Sequence, residues 1–151
     1  MKIAIHPNIT KSGAGEILER VIKFAQKNDI QLILPPREGK FFYHEELIVP
    51  DIDRENLDMA ISIGGDGTLL GLCRRLAKNG VPVCGINIGH LGFLADIEPS
   101  EIEAKLTKIV KKEYKIEQRL MLSAFIKREN EIKYVGSAVN DIVVSKCGVS
   151  R

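Results

Sequence analysis

The sequence predicts an α/β fold: a mostly parallel sheet flanked by helices, with the start of a β-rich second domain at the C-terminus. Three observations predict it. From residue 2 to about residue 110, short apolar strands alternate with helix-length amphipathic stretches, the order that builds a parallel sheet with crossover helices. The segment Met59–Ile63 is apolar apart from Ser62, which is the pattern of a strand covered on both faces. After Tyr114, strand patterns follow one another without an intervening helix. The expected division is therefore an α/β domain over 1–114 and the beginning of a β-rich domain over 115–151.

Taken in order, Lys2–Ile5 is a short apolar strand that stops at Pro7-Asn8. Between Gly15 and Lys27, Ile17, Val21, Phe24 and Ala25 recur at helical spacing. Asn28-Asp29 closes that helix, and Ile30–Leu34 is a second strand ended by Pro35-Pro36. This is a βαβ unit, whose crossover should be right-handed. Residues 37–58 have no clean period and read as a long surface connection with one helical turn. Met59–Ile63 is the third strand, and it runs directly into Gly64-Gly65-Asp66-Gly67-Thr68. Leu69, Leu72, Cys73 and Leu76 then mark a helix that ends at Asn79-Gly80, and Val81–Ile86 is a fourth strand. Ser100 and Glu103 have capping-box spacing ahead of Ile102, Leu106, Ile109 and Val110, which predicts a helix. Leu120–Lys127, Glu131–Ser137 and Asp141–Ser145 read as strands, with Arg128-Glu129-Asn130 as a hairpin turn.

Composition narrows the class. Hydrophobic residues make up 44% of the chain, enough for a packed core and outside the range of disordered sequences. The formal net charge is +2 with both signs interspersed. No basic block argues for nucleic acid, and Lys108, Lys111 and Lys112 read as the solvated face of one helix. The three cysteines, Cys73, Cys84 and Cys147, are far apart with no C-x-x-C pair, which argues against a disulfide framework or a zinc site. No apolar run has the length of a membrane span, and MKIAIHPN is not a signal peptide. The expected setting is a reducing cytoplasm, with small anions as partners and neither nucleic acid nor membrane.

The chemistry concentrates at Gly64–Thr68. A buried strand delivers a glycine-rich turn to the N-terminus of a helix. Glycines permit unusual backbone angles and let phosphate oxygens approach N–H groups, while the helix terminus adds partial positive charge. An aspartate repels phosphate, so its presence points to a chemical role: accepting a hydroxyl proton, holding Mg²⁺, or both. A bare Gly-Asp-Gly is as often a tight turn with a helix-capping aspartate. The two glycines before Asp66 and the Gly-Thr after it shift the balance toward a site. The turn is neither a Walker A loop nor a G-x-G-x-x-G fingerprint.

These residues resemble the GGDGT signature of NAD kinases. Diacylglycerol and sphingosine kinases share the signature, and phosphofructokinases carry a related one, so alone it implies phosphoryl transfer to a hydroxyl. Gly85-Ile86-Asn87-Ile88-Gly89-His90-Leu91-Gly92-Phe93-Leu94 is similar to the G-x-N-x-G-x-L-G-F-L segment of NAD kinases, which separates them from the lipid kinases. Phe93 offers an apolar face on which an adenine can stack, and the resemblance implies that it lines the adenine side of the NAD site. Leu91 and Leu94 read as core, and His90 has no assigned role. Ala138-Val139-Asn140-Asp141 resembles the family's A-L-N-[ED] motif, in which the amide and carboxylate bind the ribose and nicotinamide side of NAD; Val139 and Asp141 replace the more usual Leu and Glu. A fainter likeness, Glu117-Gln118-Arg119-Leu120-Met121-Leu122 to E-x-R-x-x-L, assigns no site residue.

The resemblance covers essentially the whole chain, with its motifs in the family's order. It implies ATP-dependent phosphorylation of NAD on the adenosine-ribose 2′-hydroxyl, giving NADP. Asp66 is the implied catalytic residue; Gly64, Gly65, Gly67 and Thr68 cradle phosphate; Phe93, Asn140 and Asp141 hold NAD; a divalent cation (Mg²⁺) accompanies ATP. The rivals are a lipid or sugar kinase sharing GGDGT, or a module that binds nucleotide without turning it over. The family's later S-T-P-T-G-S-T-A-Y motif has no match here. That departure implies a fragment of a longer enzyme, whose homo-oligomerisation rests largely on the part not represented.

Overall fold

The computed structural model describes residues 1–89, 94–95, 97–139 and 141–145. They form two compact units, Met1–Ile116 and Glu117–Arg151, each with its own sheet.

The first unit carries a four-stranded parallel sheet in the order β2-β1-β3-β4, with β1 at Lys2–Pro7, β2 at Gln31–Ile33, β3 at Met59–Gly64 and β4 at Val83–Asn87. β3 is buried along its whole length, as its apolar run predicts, because it lies inside the sheet and is covered on both faces. The period-two alternation of strands sorts the side chains. Ile3, Ile5, Ile61 and Ile63 face helices α1 (Ala14–Lys27) and α4 (Ile102–Val110) in one apolar cluster. Ala4 and Ala60 face the opposite way, against Leu72 and Leu76 of helix α3 (Asp66–Leu76). Helix α1 buries Ala14, Ile17, Leu18, Val21, Ile22 and Ala25, a stripe at 3.6-residue spacing. Its Arg20 grips Glu103 of α4 through two hydrogen bonds, Nε to Oε1 at 3.0 Å and an Nη to Oε2 at 2.6 Å.

Three local expectations change. Residues 37–58 are more than a surface connection: helix α2 (Pro36–Phe41) and two 3₁₀ turns, Glu45–Leu47 and Ile52–Arg54, lie there. Ile52 is fully buried and Ile48 bridges Leu34 beyond the end of β2. Isolated anchors at irregular spacing produce no period, which is why the sequence conceals them. The capping box does not form. A 3₁₀ turn, Pro99–Glu101, leads into α4, no side chain caps it, and Glu103 is committed to Arg20. Residues 141–145 form no strand; apolar alternation has no meaning as a strand without a neighbour to complete its backbone hydrogen bonds.

The second unit is an antiparallel hairpin of β5 (Leu122–Arg128) and β6 (Glu131–Ala138), joined where the sequence predicts a turn, with Glu129-Asn130 as the turn itself and Arg128 paired with Glu131 as the last residue of β5. A bulge at Val135 shifts the register, since Ala124 pairs with Gly136 while Phe125 pairs with Tyr134. The Phe125 and Tyr134 rings meet edge to face at 5.6 Å.

One polar pair interrupts the α3 face. His6, on β1 opposite Ser62, has its Nδ1 buried without a hydrogen bond, 3.9 Å from Oε1 of the buried Glu38. Burial pushes the imidazole below its ordinary value of 6.5; Glu38 opposes that shift, and Arg75 and Arg37 reinforce it. The folded state therefore binds this proton more weakly than the unfolded chain. Above the ordinary value both states are neutral; as pH falls below it, the unfolded chain protonates first and stability drops until the lowered folded value is passed. The melting temperature is expected to fall between pH 7.5 and 5.5, and to fall less in His6→Asn; equal slopes in differential scanning fluorimetry would remove His6 as the cause. In the same assay, Leu72→Ala is expected to destabilise by about 2–5 kcal/mol through the cavity it leaves.

Candidate functional site

The strand order locates a crevice. From β1 the chain crosses by α1 to β2 on one face; from β3 it crosses by α3 to β4 on the other. β1 and β3 are neighbours, so the loops at their carboxyl ends part in opposite directions between them. Such a switch point is where open parallel sheets bind ligands. Gly64–Thr68 leaves β3 on one side of it, and Asn8–Gly13 leaves β1 on the other.

The five residues of the Gly64–Thr68 turn come together as expected. Gly64 ends β3, Gly65 is the extended N-cap of α3, and Asp66, Gly67 and Thr68 form its first turn. The Gly65 carbonyl accepts from Thr68 N at 2.9 Å and Leu69 N at 3.2 Å. Gly64 has an internal reason to be glycine: a Cβ there would overlap the Thr68 hydroxyl and lie 2.9 Å from Thr68 Cβ and 3.2 Å from Asn8 Cβ. Gly65 and Gly67 have none, for a Cβ at either meets nothing within 4 Å and neither has a positive φ. Glycine in a helix costs up to about 1 kcal/mol relative to alanine. Nothing in the described chain compensates for that cost at Gly67, and the open space lies where a ligand backbone or phosphate can approach.

Asp66 is half-buried, with its carboxylate in the first turn of α3, where the helix dipole favours negative charge. Among its contacts, Oδ1 accepts from the Leu94 backbone N–H at 3.2 Å. Leu94 is half-buried rather than core; its contribution is that N–H, which no side-chain pattern reveals. The segment reaches this position because Gly85 admits it: a Cβ there would press on Ala95 at 3.1 Å. Ile97 N then donates to Gly85 O at 3.0 Å, and Asn87 N to Ile97 O at 2.8 Å. Ile88 N donates to Gly64 O at 2.7 Å, so the loop after β4 is tied to the same turn.

Of the other expected residues, Phe93 and Asn140 lie outside the described residues, and Asp141 is exposed in the second unit. Sequence reasoning missed Asn8, reading it only as the end of a strand. Its Nδ2 donates to Thr68 Oγ1 at 3.0 Å across the switch point. Asn followed two residues later by Thr is a signature of an Asx turn, but the link to Thr68 depends on β1 lying next to β3. Among the described residues no cluster of three metal-ligating side chains occurs, and no helix is long and apolar enough to cross a membrane.

The sequence profile of the ATP-NAD kinase N-terminal domain matches residues 3–114. The chain belongs to the NAD kinase family. Over 99% of its length it is 35% identical to the NAD kinase of Natranaerobius thermophilus and 34% identical to that of Thermoanaerobacter sp. strain X514, covering 52% and 53% of those proteins. Against the NAD kinase of Pseudomonas entomophila, identity rises to 47% over 90 residues. The chain thus spans about half the length of the curated relatives it matches. The fold is similar to yeast NADH kinase, solved in complex with NADH, with a TM-score of 0.78 at 18% identity over 93% of this chain and 47% of that one. The family resemblance carried by Gly64–Thr68 and Gly85–Leu94 is thereby borne out, as is the mostly parallel, helix-flanked sheet.

The glycines divide into two expected behaviours. Gly64→Ala is expected to lower the melting temperature by several degrees, because the Thr68 hydroxyl must move. Gly67→Ala is expected to leave it unchanged or raise it, by up to about 1 kcal/mol of stability. A Gly67→Ala variant that unfolds more easily than wild type would mean this glycine is required by the fold.

Proposed function

We propose that this protein provides the nucleotide-binding lobe of an NAD kinase, transferring the γ-phosphoryl of ATP to the adenosine-ribose 2′-hydroxyl of NAD to give NADP and ADP. The observation that carries the reading is the Gly64–Thr68 turn at the switch point, with open space over Gly65 and Gly67 and a tethered carboxylate beside it. Family membership supplies the substrates.

In the transfer, the ribose oxygen forms a bond to the γ-phosphorus while the bond from that phosphorus to the β–γ bridging oxygen breaks. The ribose proton passes to Asp66. A carboxylate is a weak base for an alcohol. A loose phosphoryl transition state tolerates this, because the proton leaves late and positioning dominates. The Leu94 N–H holds one carboxylate oxygen in place, so Asp66 orients the hydroxyl as well as accepting its proton. Backbone N–H groups of Gly65–Gly67 and the α3 dipole offset charge on the phosphates. Phe93 takes the adenine side of NAD, and Asn140 and Asp141 its ribose and nicotinamide side. A divalent ion such as Mg²⁺ would accompany ATP and offset the charge of its phosphates. The reading places the protein in the cytoplasm and, through the remainder of the family's architecture, in a homo-oligomer.

The half-length coverage favours one second reading: this lobe binds nucleotide, and turnover requires the rest of the family's length. Asp66→Asn separates the parts. Turnover of NAD to NADP is expected to fall by at least about a thousandfold, a general-base and orientation loss, with NAD affinity by calorimetry changed less than about threefold. Unchanged turnover would remove Asp66 from the chemistry; lost NAD binding would make it a binding residue instead.

A further inference from the structure

Asn8 has an orientation that its partners dictate. Its side-chain oxygen accepts from the Thr10 backbone N–H at 3.0 Å and from the Thr10 hydroxyl at 2.8 Å. A backbone N–H can only donate, so the amide oxygen must face Thr10 and the NH₂ must face Thr68. That NH₂ can only donate, so at 3.0 Å the Thr68 hydroxyl oxygen must be the acceptor. The single hydroxyl hydrogen of Thr68 is thereby forced to point elsewhere, and among the described residues it meets no acceptor. A threonine in the first turn of a helix can bond back to the carbonyl four residues earlier. Here that carbonyl, Gly64 O, takes the Ile88 N–H at 2.7 Å, and no bond from Thr68 to it forms. Thr68 is half-buried beside Gly65 and Gly67, whose faces are open.

We propose that Asn8 is a positioning residue for the phosphate-binding turn: by occupying Thr68 Oγ1 as an acceptor, its amide commits the Thr68 O–H to donate to a phosphate oxygen of the bound nucleotide. This rests on the nucleotide-binding reading above and adds a residue outside the glycine-rich motif. The same residue also ties the start of the β1–α1 loop to β3, since the Asn8 backbone N–H donates to Ile63 O at 2.8 Å. The two walls of the crevice are held at one spacing by one residue, through its backbone N–H and its side-chain amide.

The test uses the full chain and pyrophosphate as probe, titrated by calorimetry, with ATP and NAD turnover measured in the same preparations. Asn8→Asp is the informative variant, because a carboxylate keeps the acceptor for Thr10 and removes the donor to Thr68; the negative charge it adds is separated from that loss by the double variant. The Thr68 hydroxyl then turns to donate to that carboxylate and is withdrawn from the ligand. Asn8→Asp and Thr68→Val are each expected to weaken pyrophosphate about tenfold, the worth of one hydrogen bond to a charged group. Adding Asn8→Asp to Thr68→Val is expected to cost less than about twofold more, because both act through one hydrogen. Melting temperatures should stay within a few degrees of wild type for Asn8→Asp, whose Thr10 turn is intact. Additive losses would mean that Asn8→Asp acts through its charge alone, and would overturn the inference; so would unchanged affinity, or a wild-type chain that binds no pyrophosphate. Pyrophosphate bound with the expected non-additivity but without NADP formation would uphold Asn8 and count against turnover by this lobe.

Discussion

Gly64 stands where β3 ends, with no room for a side chain between it and the Thr68 hydroxyl, and that close approach goes with the start of α3. A side chain there would displace the first turn of the helix and with it Asp66. The Gly64 carbonyl also receives the Ile88 N–H, so the loop after β4 takes its position from the same residue. Asn8 closes the arrangement from β1 by bonding to Thr68. Three consecutive strands of the sheet, β1, β3 and β4, thus present their carboxyl ends to one small volume. The buried run of β3 holds that edge, because every residue from Met59 to Gly64 is buried, with side chains packed alternately into the clusters on the two faces.

Against that edge, the residues proposed to serve the nucleotide depart from what stability alone would select. Gly65 and Gly67 leave open surface where alanine would be tolerated and, at Gly67, favoured by the helix. Asp66 brings a negative charge to the turn proposed to hold phosphate. Such departures, confined to one turn of an otherwise consistent sheet, are the pattern of a functional site carried by a stable scaffold. The half-buried His6 and the buried Glu38 add a pH-dependent term that the apolar clusters do not share.

The two units differ in how they are held. The first has apolar clusters on both faces of its sheet. The second is a two-stranded hairpin whose Phe125, Ile126, Ile132, Tyr134 and Val135 are exposed, and two strands alone bury too little to be stable without further packing. Its expected contribution to NAD binding, through Asn140 and Asp141, comes from the family motif, whereas the phosphate turn is supported by geometry within the first unit.

By itself the sequence determined the strands β1 to β6, the amphipathic helices α1, α3 and α4, the hairpin turn at Glu129-Asn130 and the identity of the glycine-rich motif. Each of these is encoded by near neighbours: a period of 2 or 3.6, or a run of turn residues. The tertiary structure alone decided the rest. Strand order put β1 beside β3, which made a crevice of two loops 56 residues apart, from Asn8 to Gly64, and gave Asn8 its bond to Thr68. Glu103 was drawn from a cap to Arg20 because α1 and α4 pack on the same face. Leu94 acts through a backbone N–H, a group that every non-proline residue carries and no sequence pattern distinguishes. Ile52 is buried in an irregular segment because tertiary neighbours, and no local period, close over it. Local chemistry specifies which elements form; only the packing of distant segments specifies which of their polar groups meet.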